Sequence, residues 1–174
     1  MESNLFDLLN EYQMFTRTTA QYPEDMALAY TRLGFVGELG EIANKYKKVI
    51  RGDYTFETIK EDLVKELGDA LWYLARYADA LDYRLSWVFR KIEGRTYISF
   101  SSHSNIPNYI EDINKNFSDI VYTANESLLQ WVGYRFAELC NDAGTDLLTV
   151  LQLNQKKLQD RLERNVIKGS GDNR

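Results

Sequence analysis

The tetrapeptide Glu38-Leu39-Gly40-Glu41 is echoed as Glu66-Leu67-Gly68-Asp69, so two pairs of carboxylates, each with three-residue spacing, occupy one short stretch of chain. Residues three apart share a face of an α-helix, and each pair can therefore aim two acidic groups at a single point. Four carboxylates brought together repel one another unless a cation joins them. The pattern predicts a divalent-metal site built from Glu38, Glu41, Glu66 and Asp69. Oxygen-only ligation suits Mg²⁺, with Mn²⁺ as a substitute, whereas zinc and copper favour nitrogen and sulfur. A di-iron bundle would need Glu-x-x-His words, and the single histidine, His103, stands in a Ser-rich stretch. No Walker-type glycine loop or Rossmann fingerprint is present.

The two words lie symmetrically about position 53.5, within Arg51-Gly52-Asp53-Tyr54, and Gly-Asp is turn chemistry that ends helices. An antiparallel helical hairpin turning there sets Glu38 level with Asp69 and Glu41 level with Glu66. The first arm, roughly 24 to 50, carries an apolar seam of Leu28, Phe35, Leu39, Ile42, Tyr46 and Val49. The second, roughly 56 to 92, repeats the device over Leu67, Leu71, Leu74, Ala78, Leu81, Leu85 and Val88. Helix-interior glycine costs about 1 kcal/mol relative to alanine, so Gly40 and Gly68 are expected to admit a close backbone or a ligand. Lys45 and Lys48 continue the acidic stripe by one and two turns, where they either meet phosphates or form surface ion pairs.

With only two prolines and scarce strand signals, the chain reads as all-α, a helical bundle of about five helices around that hairpin. A first helix spans Leu5 to about Ala20, with Leu5, Leu8, Leu9, Tyr12 and Phe15 as its stripe. A Ser-rich loop is expected at 95 to 107, a helical region in one or two pieces at about 109 to 141, and a last helix from a Thr145-Asp146 cap to about Asn165. The end, 168 to 174, has the composition of a flexible tail. The length of 174 residues fits one domain. No apolar run approaches the ~18 residues of a membrane span, the N-terminus lacks a secretory pattern, and the single Cys140 cannot form an internal disulfide. A cytoplasmic location without membrane contact is the expectation. A net charge of -5 argues against a nucleic acid polymer as partner.

The stretches Gly37-Glu38-Leu39-Gly40-Glu41-Ile42-Ala43-Asn44-Lys45 and Glu61-Asp62-Leu63-Val64-Lys65-Glu66-Leu67-Gly68-Asp69-Ala70-Leu71-Trp72-Tyr73-Leu74 resemble the MazG-type all-α nucleoside triphosphate pyrophosphohydrolases. That family carries an E-x-x-E word and an E-x-x-D word on facing helices. Asn154-Gln155-Lys156-Lys157-Leu158-Gln159-Asp160-Arg161 is similar to the family's N-x-x-K-L-x-x-R segment, while 95 to 135 matches no motif. The resemblance implies Mg²⁺-dependent hydrolysis of a nucleoside triphosphate between its α and β phosphates, giving monophosphate and pyrophosphate. Glu38, Glu41, Glu66 and Asp69 would hold metal, with Glu41 the choice for general base. Asn154, Lys157 and Arg161 would bind sugar and phosphate. Trp72 and Tyr73 are read first as core and second as a stacking platform for a base. A homodimer or homotetramer is implied, because single-unit members complete their bundle with a second subunit. Two alternatives stay open: a non-catalytic helical interaction protein that uses the carboxylates as a divalent-ion brace, and a phosphoribosyl-ATP pyrophosphohydrolase.

Overall fold

Helix α2 (Ala27–Ile50) ends where the sequence predicts, in a computed structural model that describes residues 4–93, 103–123 and 125–167. Gly52 takes a φ of 83°; its N–H donates to the Val49 carbonyl at 3.0 Å, and the Asp53 N–H donates to the Lys48 carbonyl at 2.9 Å. Such paired bonds close a helix through a left-handed residue that glycine adopts without steric cost. Thr55 then caps α3 (Phe56–Ala80), its side chain accepting from the Thr58 N–H.

Helix α3 is shorter than the predicted span to 92. Asp82 adopts a φ of 61°, and the Tyr83 N–H donates to the Ala78 carbonyl at 2.9 Å, the same closing geometry without a glycine. A four-residue helix, α4 (Leu85–Val88), and a tight turn at Arg90–Ile92 follow. Buried Gln13 of α1 (Leu5–Thr19) holds this break: its amide nitrogen donates to the Tyr83 carbonyl and its oxygen accepts from the Leu85 N–H, both at 2.8 Å. The expected 95 to 107 loop is also shorter. Residues 94 to 102 and the tail from 168 lie outside the described residues. His103–Asn105 forms a turn that runs directly into α5 (Ile106–Thr123). Pro107 therefore sits in the first helical turn, where its missing N–H costs nothing. Next come α6 (Glu126–Asp142) and α7 (Leu147–Glu163), the latter capped by Asp146. Among the described residues the protein is an all-α bundle without strands.

The α2–α3 hairpin is the centre of the bundle. Its seams bury Phe35, Leu39, Ile42 and Tyr46 on α2 and Leu67, Leu71, Leu74 and Ala78 on α3, whereas Leu28, expected in the seam, is half-exposed. Helix α5 packs on α2 and pairs with α6, while α1 and α7 pack on α3. Helix α5 presents its own seam of Ile106, Ile110, Ile113, Phe117 and Ile120. Phe117 lies 4.6 Å from Phe35 and 4.7 Å from Tyr77 by ring centroid, with Phe136 of α6 6.3 Å from Phe35. This aromatic core clamps the hairpin from one side, and the face of α3 toward α7 carries the acidic word.

Candidate metal centre

Glu38 of α2 and Glu66 and Asp69 of α3 converge, each offering one carboxylate oxygen within 4.8 Å of the others. Glu66 is buried at 9% exposure, and Glu38 and Asp69 are partly buried. The fourth predicted ligand is not brought in: Glu41 is exposed on α2, outside the group. Spacing alone does not decide this, since Glu66 and Asp69 stand three apart as well and both join the group; seven residues return a side chain to within about 20° of its line. Lys45, seven residues on, takes the inward place, with Nζ 3.2 Å from Glu66 Oε1.

The cluster carries more negative charge than its environment supports. Burial, followed by the charges of Asp69 and Glu66, pushes the Glu38 carboxyl up from its ordinary 4.5 to about 8, against a lowering by Lys157. Contact with the Glu66 carboxyl also pushes it up. Three convergent acids that retain a proton near neutrality, with oxygen donors only, fit a hard divalent cation that would take the proton's place.

Helix α7 supplies the opposite wall. Lys157 Nζ donates to Asp69 Oδ1 at 2.5 Å and Asn154 Nδ2 donates to the same oxygen at 3.0 Å. Asn154, 3% exposed, is itself fixed by Tyr12, whose O–H donates to Asn154 Oδ1 at 2.7 Å. Burial and then Asp69 push the Tyr12 phenol well above its ordinary value, so it remains a donor. The α1 stripe read from sequence includes Tyr12 without this role; a hydroxyl within an otherwise hydrocarbon stripe is the available signal. Gly68 makes the approach of α7 feasible, since a Cβ there would lie 3.0 Å from both Cβ and Nδ2 of Asn154. Beside it, a cleft of about 790 Å³ opens between α3 and α7, lined by Lys60, Lys65, Gly68, Asn154, Lys157 and Arg161, among others. Arg161 is 5% exposed.

Lys48 does not join the cluster; its Nζ lies 5.8 Å from the Tyr54 ring centroid at the hairpin turn. Trp72 points to α1, where its indole N–H donates to Thr19 Oγ1 at 2.8 Å. Tyr73 is the aromatic residue beside the acids: Glu38 and Asp69 add to the burial and the Tyr30 contact that raise its phenol. Gly34 admits that ring, because a Cβ there would meet Tyr73 Cε1 at 2.1 Å. Trp72 meets Tyr73 edge-on at 5.0 Å, and Tyr30 stacks on Tyr22 at 4.7 Å, so aromatic side chains flank the carboxylates. No helix among the described residues is long and apolar enough to cross a membrane.

No model of a known protein family matches the chain, and no solved structure does. The Gene 37 protein of Mycobacterium phage L5 is 44% identical over 89 residues, an alignment that covers 46% of this chain and 77% of that protein. The chain therefore belongs to the family of that phage Gene 37 protein.

Proposed function

We propose that the protein is a Mg²⁺-dependent nucleoside triphosphate pyrophosphohydrolase of the MazG type, cleaving between the α and β phosphates to release monophosphate and pyrophosphate. The observation that carries this reading is the convergence of Glu38, Glu66 and Asp69 beside the cations Lys45 and Lys157. Glu38, Glu66 and Asp69 would hold the metal. Mg²⁺, when bound, would neutralise phosphate oxygens, polarise the attacked phosphorus and acidify a bound water.

The chain's own residues would supply the rest. Lys45 and Lys157 each now neutralise one acid of the cluster; with a cation in place they would be released towards phosphate oxygens. Tyr12 and Asn154 would hold Asp69 in one orientation, the work of outer-shell partners around metal ligands. Glu41, exposed and outside the three-acid group, is left without the general-base role that the resemblance implies. Arg161 and the lysines of the α3–α7 cleft would hold the phosphate tail, and Trp72 with Tyr73 and Tyr30 would border the base. Lys48, at the hairpin turn, would meet only a substrate extending along α2. The working unit would be an oligomer in the cytoplasm.

The test is pyrophosphate release from a panel of ribo- and deoxynucleoside triphosphates with Mg²⁺. Turnover is expected for the wild type and loss of at least ~100-fold for Glu38→Gln and Asp69→Asn. Metal binding without turnover on any substrate would favour the divalent-ion brace. Full activity in both variants would remove the site assignment.

A further inference from the structure

A second cleft, of about 700 Å³, opens beside the one between α3 and α7. It lies between the start of α3 and the turn that joins α6 to α7, and Lys60, Gly144 and Thr145 line both clefts. The two therefore meet at Lys60 as one trench. Helices α3 and α7 run side by side along it, since Lys60 rests against Gly144 at one end and Asp69 bonds to Asn154 and Lys157 at the other. On α3, Lys60 stands nine residues before Asp69, about 14 Å along the axis, and Phe56 thirteen, about 20 Å. With a first base against Trp72 and Tyr73, on the other side of Asp69, the tail of a triphosphate ends short of Phe56.

The two halves of the trench differ in chemistry. The first sets Lys60, Lys65, Lys157 and Arg161 against a single acid, Glu61, as a phosphate chain requires. Lys60, at the junction, makes no hydrogen bond or ion pair among the described residues. The second half has a feature that phosphate does not need: the His103 ring stacks on Phe56, with 4.2 Å between centroids and 14° between planes. The Tyr46 hydroxyl, 3.2 Å from His103 Nδ1, fixes that ring. Both stacked residues are only partly buried, a platform on which a further planar ring can lie. Asp142 lines the same cleft, and its Oδ2 is buried with no hydrogen-bond donor among the described residues, an orphan that the amine of a purine would satisfy. Of the other acids there, Asp146 is taken up by the Thr149 N–H and hydroxyl, and Glu57 is exposed.

We propose that the trench takes a dinucleoside polyphosphate, its phosphate chain running past Lys157, Lys65 and Lys60 and its second base lying on the Phe56–His103 stack. The placing of the α-phosphorus at the acids rests on the function proposed above; the second-base site rests on the cleft itself. Cleavage at the same anhydride joins the hydroxyl of water to the α-phosphorus, breaks that atom's bond to the bridging oxygen, releases this oxygen with the longer fragment and leaves a proton to solvent. Diadenosine tetraphosphate and water then give AMP and ATP.

Calorimetry on the full chain, with Ca²⁺ in place of Mg²⁺ to slow turnover, compares diadenosine tetraphosphate with adenosine tetraphosphate, which has the same number of phosphates and one base. The dinucleotide is expected to bind about 10-fold more tightly, the worth of one stacked base. Phe56→Leu and His103→Ala each remove that advantage and leave the affinity for adenosine tetraphosphate unchanged, which also shows that the variants are folded. Equal affinity for the two ligands in the wild type, or an advantage that survives in both variants, overturns the proposal. Product analysis with Mg²⁺ keeps the two readings apart. Turnover of nucleoside triphosphates with no gain from a second base leaves the function proposed above and removes this site, whereas tighter dinucleotide binding without hydrolysis preserves the site and removes that function.

Discussion

At Glu38 a proton would compete with the proposed divalent cation for the same carboxylate. The folded protein holds this proton up to about pH 8, whereas the unfolded chain gives it up near 4.5. Between those values the native state binds more protons, so stability without metal declines as pH rises through the window and is flat on either side. Melting curves from pH 4 to 9 without metal are expected to show this decline, and Glu38→Gln to abolish it, leaving the variant more stable than the wild type at pH 8 to 9. Divalent-metal affinity moves the other way, strengthening up to about pH 8 as the proton is displaced. Tyr12 offers a further check at this scale. Tyr12→Phe removes the donor to Asn154 Oδ1 and is expected to cost about 1–3 kcal/mol and about 10-fold in metal affinity, measured by denaturant titration and calorimetry. The acids were legible because spacing of three on a helix is an explicit code. Glu41 and Tyr12 were not, since rotation relative to a partner helix and the destination of a buried hydroxyl depend on packing that a single helix does not specify.

Helix ends decide where these side chains arrive. The turn at Gly52 was readable because glycine is the residue that adopts a left-handed φ freely, and the structure places 83° there. The end of α3 was not, because Asp82 performs the same task at 61° while an apolar pattern continues past it through Leu85 and Val88. Those residues stay buried after the helix breaks, so periodicity alone could not reveal the break. Gly52→Ala is expected to destabilise by about 1–2 kcal/mol through left-handed strain, a fall of several degrees in melting temperature, without change in metal affinity. Gly68→Val should do the opposite to function: its side chain would press on Asn154, push α7 from Asp69 and weaken metal binding by about 10-fold. Equal metal affinity in Gly68→Val would deny α7 its place in the site.

For the molecule as a whole, the α5–α6 pair is the part the sequence placed least well, since no motif marked 95 to 135. The structure gives it a clear physical role: Phe117 and Phe136 complete the core over Phe35, and the hairpin's seam is thereby covered within the chain. Phe117→Ala is expected to cost about 3–5 kcal/mol, a large part of the ~5–15 kcal/mol that holds a domain of this kind folded, with chemical denaturation as the measure. The hairpin so clamped carries Glu38 on one arm and Glu66 and Asp69 on the other, and their convergence is the basis for the proposed chemistry. The most direct test is a phosphorus NMR spectrum of a nucleoside triphosphate incubated with the purified chain and Mg²⁺. The account predicts nucleoside monophosphate and pyrophosphate in equal amounts, both absent when Asp69→Asn replaces the wild type. Unchanged triphosphate, or nucleoside diphosphate with inorganic phosphate, would contradict it.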